Sequence, residues 1–271
     1  MRSTTMPRLR VIEEPTTGVR LRQTLGDVVS IARRDMIRTA RKPEMLSFSV
    51  IMGVFFLLLF NYVFGGAIGA GTGVDYVQFL VPGVLVITAL SGAQQTGTGL
   101  AADLSTGVVD RFRSLPMSQG AVIAGRTVAD TIRNAVGVVL VMVVGYFLGF
   151  RFDSIPGAVA ALLLVVGLGF AFSWVNGAIA AKVRDAEMVG MLSMFWLFPL
   201  MLASSAFVPT AQMPEWLQVF ADYQPVSVVS DAVRALSSGT AADGAILGSI
   251  LWIIGLTVLF AALAARAYRK P

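Results

Sequence analysis

Among 271 residues there is no cysteine and no histidine. Without cysteine there is no disulfide, no thiolate nucleophile and no sulfur metal site. Without histidine the usual metal ligand, general base and intramembrane proton shuttle are missing. Charge is scarce as well. Asp, Glu, Lys and Arg make up 14% of the chain, against about 25% in a soluble domain. What is abundant is apolar: 56% of residues are hydrophobic, with a mean hydropathy of +0.75. Too few polar side chains remain to coat a soluble surface. The composition excludes a soluble enzyme, a disordered chain and a secreted disulfide scaffold, and it fits an all-α polytopic membrane protein.

A helix needs about 20 mostly apolar residues to cross a hydrocarbon core about 30 Å thick. Six stretches qualify: 45–66, 77–101, 131–150, 156–181, 188–208 and 245–265. The third is predicted to begin as a charged helix outside the bilayer, where Asp130 stands at helical pair spacing from Arg126 and Arg133. The chain thus divides into a basic segment (1–44), a six-span domain (45–267) and a short tail (268–271). No secretory signal is expected, because the first apolar run starts late and is too long for a signal core.

The net charge of +5 does not point to nucleic acid, because the basic residues are sorted by position. Nineteen of the 21 Lys and Arg fall on one side of this topology: ten before residue 45, then Arg111, Arg113, Arg126 and Arg133, then Lys182 and Arg184, then Arg266, Arg269 and Lys270. Arg151 and Arg234 fall on the other side. Lys and Arg mark cytoplasmic loops, so both termini are expected in the cytoplasm. Tyr62, Tyr76, Tyr146 and Tyr223 fall near the predicted outer interface and Tyr268 near the inner one, the depths that amphipathic rings prefer.

Three segments are more than connectors. In 21–41, Leu21, Leu25, Val28, Val29, Ala32, Met36 and Ala40 share a helical face, and the charges lie largely off it. Such a helix lies in the cytoplasmic interface, as a plain anchor or as a contact for a partner subunit. In 102–120, Val108, Phe112 and Leu115 recur at helical spacing before Pro116. That suits a short cytoplasmic helix offered to another protein, or a solvated loop. In 209–244, two short outer helices are predicted to start at Pro214 and Pro225, and Gly239 is the predicted stop of the second. The run 65–73, GGAIGAGTG, reads as a flexible outer link.

The uninterrupted apolar cores, the third counted from residue 135, contain no Asp, Glu, Lys or Arg. Ion-coupled pumps place such a residue at mid-membrane, so a self-powered transporter is disfavoured. The intramembrane polar groups are neutral. Gln94, Gln95 and Thr98 form a stripe on the second span, and Ser173 with Asn176 form one on the fourth. They serve either as interhelical hydrogen bonds, worth about 1 kcal/mol or less each, or as the weakly polar wall of a translocation path. LSGAQ, 90–94, looks like an ATPase signature, but it lies inside an apolar span. The chain also has no G-x-x-x-x-G-K-[ST] loop to hold phosphate. The chain is therefore not expected to be an enzyme or to bind a cofactor or metal.

The segment VVDRFRSLPMSQGAVIAGRTVADTIRN, 108–134, resembles the permease subunits of type-2 ABC exporters, most closely the daunorubicin-resistance branch. Asp110, Arg111, Arg113, Leu115, Pro116, Ala124, Gly125 and Arg126 fill the places of that family's acidic–basic cluster, Leu-Pro step and Ala-Gly-Arg sequence. The segment SSAFVPTAQMPEWLQVFADYQPVSVVSDAVRAL, 204–236, is similar to the family's outer loop, except that Gln224 stands where the family usually has Asn.

The resemblance implies six spans and a second permease, either an identical copy or a paralogue. It also implies a separate cytoplasmic ABC ATPase that carries the ATP and magnesium. Asp110, Arg111 and Arg113 would then pair with charges on the ATPase, while Phe112, Leu115 and Met117 fill its groove beside Pro116. Pro214, Trp216 and Leu217 would belong to an outer gate. The implied activity is export of a hydrophobic or amphipathic drug, antibiotic or lipid across a bacterial plasma membrane. The competing reading is a self-contained secondary transporter or channel for a lipophilic solute.

Overall fold

The computed structural model describes residues 44–72, 75–105, 119–240 and 243–269. Among the described residues there are eight α-helices, one 3-10 turn and no strand. The helices are α1 (Glu44–Thr72), α2 (Tyr76–Ser105), α3 (Gln119–Phe147), α4 (Ile155–Val183), α5 (Ala186–Leu202), α6 (Glu215–Tyr223), α7 (Pro225–Ser238) and α8 (Asp243–Arg269). The amphipathic segment 21–41 lies outside the described residues.

Among the described residues, four helical stretches are long and apolar enough to cross a membrane: Tyr76–Ser105, Thr127–Phe147, Ile155–Val183 and Asp243–Ala264. Val50–Val63 and Ala186–Leu202 are shorter apolar helices. The surface agrees with a bilayer setting. Phe147, Ile155 and Phe195 are 81–82% exposed, and many large apolar side chains of α1, α3, α5 and α8 are exposed with them; extensive apolar surface of this kind marks contact with lipid or another protein.

The central helix is α2, with 78% of its most apolar stretch buried, while α8 buries 6% of its own and faces outward. Small residues let neighbours close on α2. A Cβ at Gly83 would run into the Ala206 backbone, and one at Gly97 would stand 2.6 Å from Asn176. The helix α4 runs parallel to α2, since Ala89 lies beside Gly169 and Gly97 beside Asn176. The core packed around α2 includes Leu80, Val84, Leu85, Val138, Val141, Val165, Leu168, Val229 and Val233.

Local chemistry sets several helix ends. Ser154 caps α4, its Oγ accepting from the Gly157 amide at 3.2 Å. Arg184, left-handed at φ 56°, ends α4. Asp185 then starts α5, its Oδ1 accepting from the Met188 amide at 2.8 Å. Helix α7 begins with Pro225 and ends at Gly239, left-handed at φ 65°, as predicted.

Two expectations need correction. The fifth apolar stretch, 188–208, does not stay helical; α5 stops at Leu202. Pro199 lacks an amide donor, and Ser204 diverts the chain: its Oγ donates to the Met201 carbonyl at 2.6 Å and accepts from the Ala206 amide at 3.2 Å. The segment 203–209 therefore folds back into the bundle, with Ser204, Ser205, Ala206 and Phe207 buried. The link 65–73 is helical as far as Thr72, and Gly65 lies beside the Tyr76 ring. Tyr76 itself is buried, its hydroxyl donating to the Phe207 carbonyl at 3.2 Å. By contrast, Tyr62, Tyr146 and Tyr223 are exposed.

Candidate functional site

Two polar regions are built into the bundle, one toward each end. The first joins α2, α4 and α5. Gln94 Nε2 donates to the Gly190 carbonyl at 3.1 Å, which ties α2 to α5. Asn176 Oδ1 accepts from Ser193 Oγ at 2.7 Å, which ties α4 to α5, while its Nδ2 donates to the Phe172 carbonyl at 3.0 Å. Asn176 and Ser193 are fully buried. Gly97 supplies the room, since Asn176 packs directly against it. Ser193 lies about 12 Å along α5 from Asp185, so this seam sits in the half of the bundle nearest the α4–α5 joint.

The seam collects four of the five residues marked as a possible translocation path, and it uses them differently. Gln94 and Asn176 bond between helices. Thr98 donates to the Gln95 carbonyl at 3.1 Å and Ser173 to the Gly169 carbonyl at 2.9 Å, both within their own helix. Gln95 is half-buried and makes no side-chain hydrogen bond among the described residues. A further clasp escaped the sequence reading. Asn134 Nδ2 donates to the Ala89 carbonyl at 2.8 Å and ties α3 to α2. Gly92 and Gly169 leave the space it occupies. The available signal was an Asn standing alone at the head of an apolar run.

The second region lies at the opposite end, where α7 meets the first turn of α2. Arg234 Nε donates to the Phe79 carbonyl at 3.0 Å, and its guanidinium lies 3.8 Å over the Phe79 ring. Its Nη groups donate to Ser205 Oγ, to the Ser205 carbonyl and to Asp231. Burial pushes the guanidinium's pKa down and the Asp231 carboxylate opposes that; an arginine so placed keeps its charge. Gln224, at the α6–α7 joint, donates from Nε2 to the Leu200 and Ala203 carbonyls at 2.9 Å each. It thereby caps the end of α5 from across the fold. Of the expected gate residues, Pro214 precedes α6 and accepts from the Leu217 amide at 2.9 Å. Trp216 is exposed and Leu217 half-buried. The residues expected at a gate and the seam are thus at opposite ends of the bundle.

The expected coupling residues Asp110, Arg111, Phe112, Arg113, Leu115, Pro116 and Met117 lie outside the described residues. Their segment connects the end of α2 to the start of α3. That is the same end of the bundle as the α4–α5 joint, because α2 and α4 run parallel. Asp130 and Arg133 follow on α3, paired at 2.8 Å. Among the described residues no group of three or more Asp or Glu could hold a metal ion.

The family model described as ABC-2 type transporter matches residues 27–237. The daunorubicin resistance ABC transporter permease protein DrrB1 of Streptomyces coeruleorubidus is 38% identical over 239 residues, which cover 88% of this chain and 84% of that protein. The probable doxorubicin resistance ABC transporter permease protein DrrC of Mycobacterium tuberculosis is 26% identical over 244 residues, covering 88% and 86%. A putative transport permease, ycf38 of Cyanophora paradoxa, is 24% identical over 233 residues, covering 84% and 80%. With a helical, lipid-suited bundle and a family match that spans both polar regions, this chain belongs to the ABC-2 type transporter family.

Proposed function

We propose that the chain is the membrane-spanning permease subunit of an ATP-driven exporter for a hydrophobic or amphipathic compound. The observation that carries this reading is its 38% identity, over most of both chains, to a permease named for daunorubicin resistance. The lack of a phosphate-binding loop and of charge in the apolar cores supports it, because the work must then enter from a separate ATPase.

In this reading the chain crosses the bacterial plasma membrane six times, α1 to α5 and α8 being the spans. Both termini lie in the cytoplasm, and a second permease completes the path. The ATPase seats the segment carrying Asp110, Arg111, Phe112, Arg113, Leu115, Pro116 and Met117. A push there reaches the inner ends of α2 and α3. The clasps from Asn134, Gln94 and Arg234 tie α2 to α3, α5 and α7, so α2 moves with its neighbours as a lever rather than bending alone. Displacement at the inner end is then delivered to the α6–α7 hairpin, where Pro214, Trp216 and Leu217 stand. The seam face with Gln94, Gln95, Thr98, Ser173 and Asn176 borders the path.

The test is co-expression with the separate ABC ATPase that this reading requires, whose reading frame is expected beside this one. Cells carrying both are expected to extrude a lipophilic drug. Replacing Arg111 and Arg113 by Glu and Phe112 by Ala is expected to abolish co-purification and efflux while the permease still folds. Undiminished assembly and efflux would overturn the assignment of this segment.

A further inference from the structure

Arg151 and Arg234, the two basic residues that break the charge sorting, line the same cavity of about 600 Å³. It opens where the first turn of α2, the α3–α4 link and the end of α7 meet. We propose that it binds a zwitterionic phospholipid headgroup, the phosphate on the two arginines and the ammonium on Asp153. Its outward placement rests on the topology proposed above; the binding chemistry does not.

The donors support a phosphate. A guanidinium carries five N–H groups. Arg234 spends four of them on Phe79, Ser205 and Asp231, which leaves one on Nη2. Arg151 spends both Nη1 hydrogens on the Tyr146 and Phe150 carbonyls and stacks 3.9 Å over the Tyr146 ring. Its Nε and Nη2 hydrogens have no acceptor among the described residues. Four N–H groups on two cations thus remain for an anion, and charge-assisted bonds of this kind are the strong ones.

The carboxylate supports an amine. Asp153 lines the same cavity and is exposed. It forms no ion pair within 4.0 Å with either arginine. Asp231 already pairs with Arg234, so the local charge balances near zero. A balanced, separated arrangement suits a headgroup that carries both signs better than a free anion. The flanks support a lipid. Phe147 and Ile155, either side of the Arg151 link, are each 82% exposed, which offers acyl chains an apolar surface next to the polar cavity.

The test uses the full-length chain, purified without its partner, so that failure of the exporter reading does not affect it. Native mass spectrometry reads occupancy by short-chain phosphatidylethanolamine, phosphatidylglycerol and diacylglycerol. Phosphatidylethanolamine is expected to bind best, phosphatidylglycerol less and diacylglycerol not at all. Arg151→Gln is expected to weaken both phospholipids about five-fold. Arg151→Lys is expected to restore part of that loss. Asp153→Asn is expected to bring phosphatidylethanolamine down to the level of phosphatidylglycerol. Asp153 is exposed, so this variant carries the test even if the Arg151 variants fold poorly. Equal binding of diacylglycerol, or unchanged selectivity in Asp153→Asn, would overturn the proposal. With the ATPase present, stimulation of ATP hydrolysis by the bound lipid marks it as cargo, and unchanged turnover marks it as a resident bilayer lipid. Either result keeps the site.

Discussion

Arg234, near the end of α7, donates to the carbonyl of Phe79 in the first turn of α2 across 155 positions of sequence. The same side chain holds Ser205 in the fold-back after α5. One guanidinium therefore joins three segments that the chain visits far apart.

Removing it is expected to be costly. Arg234→Ala leaves the Phe79 and Ser205 carbonyls without this donor, and each such loss costs about 1–3 kcal/mol; Asp231 keeps its bond from the Ser205 hydroxyl. Arg234→Lys keeps the charge, but a single ammonium cannot reproduce a fork that serves acceptors on different segments. Both variants should lower the thermal midpoint of the purified permease, alanine more than lysine. A lysine variant as stable as wild type would show that the charge alone matters.

The glycines of α2 give a second prediction. A methyl at Gly83 meets the backbone of Ala206, which cannot swing aside. Gly83→Ala should therefore push α2 off the 203–209 segment and destabilise by about 1–3 kcal/mol. At Gly255 nothing lies within 4 Å, so Gly255→Ala should be neutral or slightly stabilising through helix propensity. Paired melting curves check the contrast; equal midpoints would contradict the packing described for α2.

What the sequence made legible is what local chemistry decides. Pro225, Gly239, Pro214 and the long apolar runs each act within a few residues of themselves, and they set the helices where expected. What stayed hidden depends on distant partners. The run 203–208 is apolar enough to continue a span, but the contacts of Ser204 and Ser205 with the rest of the fold turn it back. The roles of Asn134 and Arg234 were not visible, because the carbonyls they serve, Ala89 and Phe79, are remote in sequence. Gln224 in place of the family's Asn looked like a small change at the α7 start. Its amide instead serves the end of α5.

That role predicts a length dependence. Gln224→Ala frees the Leu200 and Ala203 carbonyls and should cost about 2 kcal/mol, roughly 1 for each hydrogen bond. Asn is one methylene shorter, so Gln224→Asn should lie nearer to alanine than to wild type. Thermal melts of the three proteins decide it; an asparagine variant equal to wild type would place the cap on α7 instead.

The absence of cysteine makes the topology directly measurable. A single cysteine can be introduced without a competing thiol. Ser238 is exposed at the end of α7 beside the Arg151–Arg234 cavity, and Lys182 is exposed near the end of α4, the opposite end of the bundle. In intact cells a membrane-impermeant maleimide should label Ser238→Cys and spare Lys182→Cys until the membrane is opened. The expectation follows from the charge sorting, which leaves Arg151 and Arg234 as the two basic residues on the outer side. Reversed labelling would invert the bundle and put the cavity in the cytoplasm. Labelling of both sites in intact cells would contradict a helix α4 that crosses the bilayer.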